Sequence, residues 1–297
     1  MKNFISLKNV YKNYDKRVIL EDFSFDLPEG KFITLIGCNG AGKSTTLRLL
    51  AGDEPITKGE LTVFEKDPYS YSYPFRKDVF LIHENYEIHL HHTMLEMIKI
   101  YRETFPRWSN KIFNQMAKDR KISLKKKFSE LSRGQKMQFL LMMALASRPK
   151  VLLLDEITSV IDIDGQRYFL DLLKQFTVDG GTVVITTNIL SELNEYTDHL
   201  VLLQDTKLKL NNSVAQIQED FVILEKLKDH EIFANTKISK IRSSGYDVKE
   251  IYLVPVILYQ KYSDLEDCLT SYKPKLEDIL IFHFKFKENT HEDELVA

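Results

Sequence analysis

The sequence predicts an α/β protein built on a mostly parallel sheet, and two stretches carry that prediction. The first, Gly37-Cys38-Asn39-Gly40-Ala41-Gly42-Lys43-Ser44, has the form G-x-x-x-x-G-K-S. An apolar run, Phe32 to Ile36, precedes it, and a helix-like run, Thr45 to Ala51, follows and stops at Gly52. The second, Val151-Leu152-Leu153-Leu154-Asp155-Glu156, is apolar without alternation and ends in two carboxylates. Such a run suits a central parallel strand covered on both faces. Its acidic end then emerges at the carboxyl edge of the sheet, where open α/β folds bind ligands. Strand, glycine-rich loop and helix together predict a P-loop nucleoside triphosphatase core.

The glycines let the backbone curl until its N–H groups point inward, a concave anion nest at a helix N-terminus. Lys43 then reaches the β- and γ-phosphates, and the Ser44 hydroxyl ligates Mg²⁺. Asp155 holds the same ion through water, and Glu156 orients and deprotonates the attacking water. A nucleoside triphosphate and Mg²⁺ are the ligands this set calls for.

Composition narrows the class. At 297 residues, 43% hydrophobic, 28% charged and with a net charge of −2, the chain can bury a large core and lacks the basic footprint of a nucleic-acid binder. Its two cysteines, Cys38 and Cys268, fit no metal-ligand spacing and suit a reduced cytosolic protein. No secretory signal is visible at the N-terminus. The longest apolar-rich run, Met137 to Ala146, is about half the ~20 residues of a membrane span. Any membrane role therefore needs a partner chain.

In chain order, residues 4–36 alternate short apolar runs with turn signals such as Pro28-Glu29-Gly30, and predict an antiparallel β-layer leading into the first core strand. Tyr14 stands on a turn ahead of the loop, where it can stack on adenine, since any base offers a π-face. An ordinary half-buried aromatic is the other reading. Gly59 to Val63 predicts a short strand, Tyr69 to Tyr73 a turn, and Val79 to Ile82 a buried strand running into His83-Glu84-Asn85. Residues 93–120 carry helical periodicity broken at Pro106. Lys118 to Lys127 is basic and predicts a charged outer face. His89, His91 and His92 lack the spacing of paired helix ligands and predict a solvated turn. Helices are expected over 135–147, 164–178 and near 189–196, with strands at Thr182 to Thr187 and, last in the core, His199 to Leu203. The remainder, with a strand-like run from Ile251 to Leu258, predicts a small α/β appendage.

Taken together, Tyr14, the loop at 37–45, Leu131-Ser132-Arg133-Gly134-Gln135, the strand at 151–156, Ser159-Val160-Ile161-Asp162 and Thr186-Thr187-Asn188 resemble the ABC-type ATPase domain over roughly residues 4–210. LSRGQ is the diagnostic piece. The resemblance implies an ATPase domain over 1–210, with a helical subdomain at about 86–147 that receives an integral membrane permease, and an accessory region over 211–297. It implies two such domains, as a homodimer or a heterodimer, facing head to tail at the cytoplasmic face of the cell membrane. Each ATP would lie on Tyr14, Gly37, Cys38, Asn39, Gly40, Ala41, Gly42, Lys43, Ser44 and Thr45 of one chain. Ser132, Arg133, Gly134 and Gln135 would act on the opposite chain's ATP, and Asp162 would lie in the loop that couples the two sites.

Two positions depart from the family pattern. Glu84 stands where the family has a glutamine touching Mg²⁺ and the nucleophilic water; a carboxylate is a sound Mg²⁺ ligand. Asn188 stands where a histidine contacts the γ-phosphate, and it donates one hydrogen bond but carries no charge. A slow or asymmetric ATPase is the expectation. The small C-terminal appendage ending in LEDILIFHFKF is similar to those of export-type subunits for drugs, antibiotics and peptides, so export is expected, and the chain's general resemblance extends to exporters of phenol-soluble modulins. Two other classes compete: a catalytically weak ATP-dependent clamp supporting a more active partner, and a soluble non-transport ABC protein.

Overall fold

The computed structural model describes residues 4–70, 77–83, 92–225, 239–243, 250–256 and 274–285. Tyr71, Tyr73, Glu84, Asn85, His89, His91, Leu258 and Cys268 lie outside them. The chain divides into two compact units, Met1–Asn211 and Asn212–Ala297.

In the first unit, alternating burial makes β1 (Ile5–Tyr14) and β2 (Arg17–Leu27) an antiparallel pair, followed by β3 (Phe32–Gly37), buried throughout. α1 (Lys43–Ala51) follows, and β4 (Lys58–Val63) returns to complete a three-stranded layer in the order β2-β1-β4. The main sheet adds β5 (Val79–Ile82), β6 (Val151–Asp155), β7 (Thr182–Thr187), β8 (His199–Gln204) and β9 (Lys207–Ser213), in the order β5-β6-β7-β3-β8-β9. β5, β6, β7, β3 and β8 run parallel, so their carboxyl ends share one edge.

Side-chain alternation sorts each core strand between two hydrophobic cores. Val151 and Leu153 face the antiparallel layer and α1, whereas Leu152 and Leu154 face the remaining helices. This two-sided burial is why β6 is apolar at every position before Asp155. The second core is closed by α2 (Met94–Thr104), α3 (Asn110–Asp119), α4 (Arg133–Ser147) and α5 (Ile163–Val178). α2 and α4 each begin with a reciprocal capping box, Thr93 with Glu96 and Ser132 with Gln135.

Two expectations are corrected. The helix expected near 189–196 is a single 3₁₀ turn, Leu190–Glu192. The Thr187 hydroxyl bonds both the N–H and the carbonyl of Ile189 and diverts the chain there. His199 to Leu203 is not the last core strand, because β9 follows a two-residue turn at Asp205-Thr206, both at positive φ, and takes the sheet edge.

Among its described residues, the second unit holds α6 (Val214–Glu219) and the strands β10 (Phe221–Glu225), β11 (Ser239–Ser243) and β12 (Glu250–Pro255), in the sheet order β10-β12-β11. α7 (Leu276–Lys285) follows. Ile223, Leu224, Leu253, Val254, Leu276 and Ile279 are buried in this unit. Among the described residues, no helix of the chain is long and apolar enough to cross a membrane.

Candidate functional site

The site grows from β3. Gly37 ends the strand where a Cβ would meet the Leu203 carbonyl oxygen at 2.5 Å, and Gly42 caps α1 at φ 99°, where a Cβ would meet Leu20 at 2.6 Å. Only glycine fits both places. α1 then starts at Lys43, whose side chain is 4% exposed. Its ammonium donates to the carbonyls of Gly37 at 2.9 Å and Cys38 at 3.2 Å, and lies 3.3 Å from a Glu156 carboxylate oxygen.

Strand parity places the acidic residues. Asp155 continues the Val151–Leu153 face of β6, and Thr186 continues the Val184 face of β7, so both point toward α1. Ser44 Oγ donates to Asp155 Oδ1 at 3.0 Å, and Thr186 Oγ1 donates to the same oxygen at 2.7 Å. The Glu156 N–H donates to Thr186 Oγ1 at 3.0 Å. Glu156 itself holds φ 48° and ψ 38°, a left-handed backbone that a non-glycine residue adopts only under constraint.

Lys43, Ser44, Asp155 and Glu156 line a cavity of about 660 Å³ together with Tyr14, Arg17, Arg48 and His83. That size is within the usual range of small-molecule sites. At its outer end the Tyr14 hydroxyl donates to Glu54 and accepts from Arg48 at 3.3 Å. Lys12 sits 4.8 Å over the Tyr14 ring and 3.1 Å from Glu54, and Arg48 pairs with Glu54 at 2.9 Å. Burial pushes the Glu54 carboxyl up, but the Tyr14 and Lys12 hydrogen bonds and the Arg48 charge outweigh it and hold the pKa below the usual value. Tyr14 is thus braced from three sides. Sequence reasoning missed Lys12, Arg48 and Glu54, which belong to no motif, and took Thr186 only as part of the strand end at 186–188, without its bonds to Asp155 and Glu156.

Ser132, Arg133, Gly134 and Gln135 do not line this cavity. They form the N-terminus of α4, where Ser132 Oγ accepts from the Gln135 N–H at 3.2 Å. A Cβ at Gly134 would come 2.8 Å from the Val160 carbonyl oxygen, so this turn packs against the loop leading to Asp162. Asp162 caps α5 by accepting the Gly165 N–H at 2.8 Å, a bond that, with the Arg120 charge, lowers its pKa. Arg120 also donates to Asp164 at 2.6 Å and to Gln138 at 3.1 Å, and its side chain is only 14% exposed. The basic stretch is therefore not all outer face: Arg120 turns inward to the acidic loop. Cys38 is an exposed free thiol. Asn188 is exposed and lies outside the cavity lining.

A family model described as ABC transporter matches residues 20–159, which take in the phosphate loop, LSRGQ and the acidic strand end. The fold is that of an ABC-type ATPase cassette. The chain is similar to the spermidine/putrescine import ATP-binding protein PotA of Spiroplasma citri, 29% identical over 266 residues, covering 85% of this chain and 74% of that protein. It is similar also to PotA of Mycoplasma mycoides subsp. mycoides, 32% identical over 209 residues, with 68% of this chain covered. The chain spans 59% of the length of that second relative. Among solved structures, a dimeric bacterial ABC transporter cassette shares the fold, with TM-score 0.63 at 24% identity, covering 71% of this chain and 98% of that one. The relatives' names are those of importers, so the export type expected from the C-terminal segment finds no support in them.

Proposed function

We propose that this cassette is the ATP-hydrolysing subunit of a membrane transporter. It closes head to tail with a second cassette over two ATP and drives a separate integral membrane permease. One observation carries this reading: Lys43, Ser44, Asp155 and Glu156 surround one cavity, while the LSRGQ residues cap a different helix outside it. A chain so built holds half of each of two composite sites. Helical N-termini favour phosphate, so the α4 terminus at Ser132 and Gly134 suits the γ-phosphate presented by another copy.

Ser44 and Asp155 are hard oxygen donors held 3.0 Å apart, and among the described residues no cluster of three or more His, Cys, Asp or Glu offers a metal cage. That sparse set fits Mg²⁺, which keeps several waters and takes one or two protein ligands beside substrate phosphates. Ser44 and Asp155 would hold the ion, which would supply positive charge against the phosphate oxygens. Lys43 turns from Glu156 to the phosphates, which frees the Glu156 carboxylate to take the proton of the attacking water. Tyr14, braced by Glu54 and Arg48, offers its ring to the adenine.

Direction and substrate belong to the permease. The import names of the relatives support uptake, and accumulation against efflux of labelled spermidine in cells with and without this chain decides between uptake and export. Through the permease the cassette sits at the cytoplasmic face of the membrane. Asn188 supports a second reading, a clamp whose hydrolysis is weak and which assists a more active partner. ATP turnover of the chain alone against the chain with its permease separates the two.

The dimer is tested with the natural Cys38. In a chain carrying Ser132→Cys and Glu156→Gln, ATP is expected to promote a disulfide between the introduced thiol of one copy and Cys38 of the other. Equal crosslinking with and without ATP would overturn the head-to-tail arrangement.

A further inference from the structure

We infer that Thr186 is a positioning residue for ATP hydrolysis, its hydroxyl setting both members of the acidic pair at once. The inference rests on the roles proposed for Asp155 and Glu156. Thr186 is fully buried at the end of β7, directly beside Asp155 in the parallel register. A hydroxyl has one proton to give and two lone pairs. The Glu156 N–H can only donate, so it takes a lone pair of Thr186 Oγ1, and the Thr186 proton is committed to Asp155 Oδ1. The order of bonds is thereby fixed: Glu156 N–H to Thr186 hydroxyl to Asp155 carboxylate.

Each end of this relay has a consequence. At Asp155, Oδ1 accepts from Thr186 as well as from Ser44, so it stays held when the Ser44 hydroxyl turns to another ligand. The carboxylate then keeps one rotamer and offers the metal side a fixed oxygen. At Glu156, the pinned N–H helps hold the left-handed backbone that aims its side chain at Lys43 and the cavity. Valine fills the same space without the hydroxyl and breaks both links together. Serine keeps both and gives up only a methyl.

The test uses the full chain. For Thr186→Val, kcat at saturating ATP is expected to fall roughly tenfold or more, the loss of a hydrogen bond to a charged group. Mn²⁺ binding in the presence of a non-hydrolysable ATP analogue, followed by the electron paramagnetic resonance of the free ion, is expected to weaken several-fold, while metal-free ATP affinity stays within about twofold of wild type. Thr186→Ser is expected to restore both kcat and Mn²⁺ binding. A valine variant equal to wild type in both readouts overturns the inference, as does a serine variant as impaired as valine, which would make the methyl the relevant group. Glu156→Gln is the control for the underlying reading: if it hydrolyses normally, the assignment of the base fails, and the Mn²⁺ measurement still judges Thr186 separately.

Discussion

Tyr14 shows how far neighbours can fix a single side chain. With its hydroxyl on Glu54 and Arg48 and Lys12 over its ring, it enters the cavity already oriented. Stacking of a base on an aromatic ring is worth about 1–3 kcal/mol. Tyr14→Ala should therefore weaken binding of a fluorescent ATP analogue by roughly five- to a hundredfold, with Glu54→Gln falling between wild type and alanine. In the γ-phosphate role proposed for its position, Asn188 would act without a charge. One preorganised donor at a transition state is worth about 3–4 kcal/mol, and an amide supplies part of that. Asn188→His is expected to raise the single-turnover rate at least about tenfold; an unchanged chemical rate would refute the role given to this position. The phosphate loop and the Asp155-Glu156 end were legible because each is a contiguous string whose chemistry is local. Thr186 was not. That it faces Asp155 depends on the register of β6 against β7, two strands separated in sequence by a whole helix.

At the level of elements, caps and breaks decide the boundaries. Thr93 closes its capping box with Glu96, so Thr93→Ala should cost about 1 kcal/mol of stability, seen in chemical denaturation, with ATP affinity unaltered. β8 begins at His199, whose ring nitrogen bonds Asn211 at 2.8 Å and whose burial holds its pKa below the usual 6.5. The folded state thus binds fewer protons there than the unfolded chain, and stability must fall as pH drops below about 6.5 toward the depressed folded value. His199→Gln is expected to flatten the pH dependence of the melting temperature in that window; an unchanged slope would show that other groups set it. Most strands and helices were legible from period and punctuation. β9 was not, because Lys207 to Ser213 is polar and only half-buried, as an edge strand can be. The 189–196 segment misled because Leu190 and Leu193 mimic a helical spacing while Thr187 hooks the chain into a tighter turn.

On the scale of the whole molecule, the described groups lining the candidate cavity belong to the unit Met1–Asn211. A chain ended after β9, at Ser213, is expected to bind ATP with unchanged affinity in calorimetry; a loss beyond about fivefold, roughly 1 kcal/mol, would assign the second unit a part in the site. Within the first unit, β3 has β7 and β8 bonded to either side and a hydrophobic core on each face. Its amides open only when the whole sheet comes apart. In deuterium exchange the segment 32–37 should therefore be among the last to take up label, and the phosphate loop stays tethered to that slow-exchanging anchor while edges and termini fray. Partial melting would leave the triphosphate cradle standing.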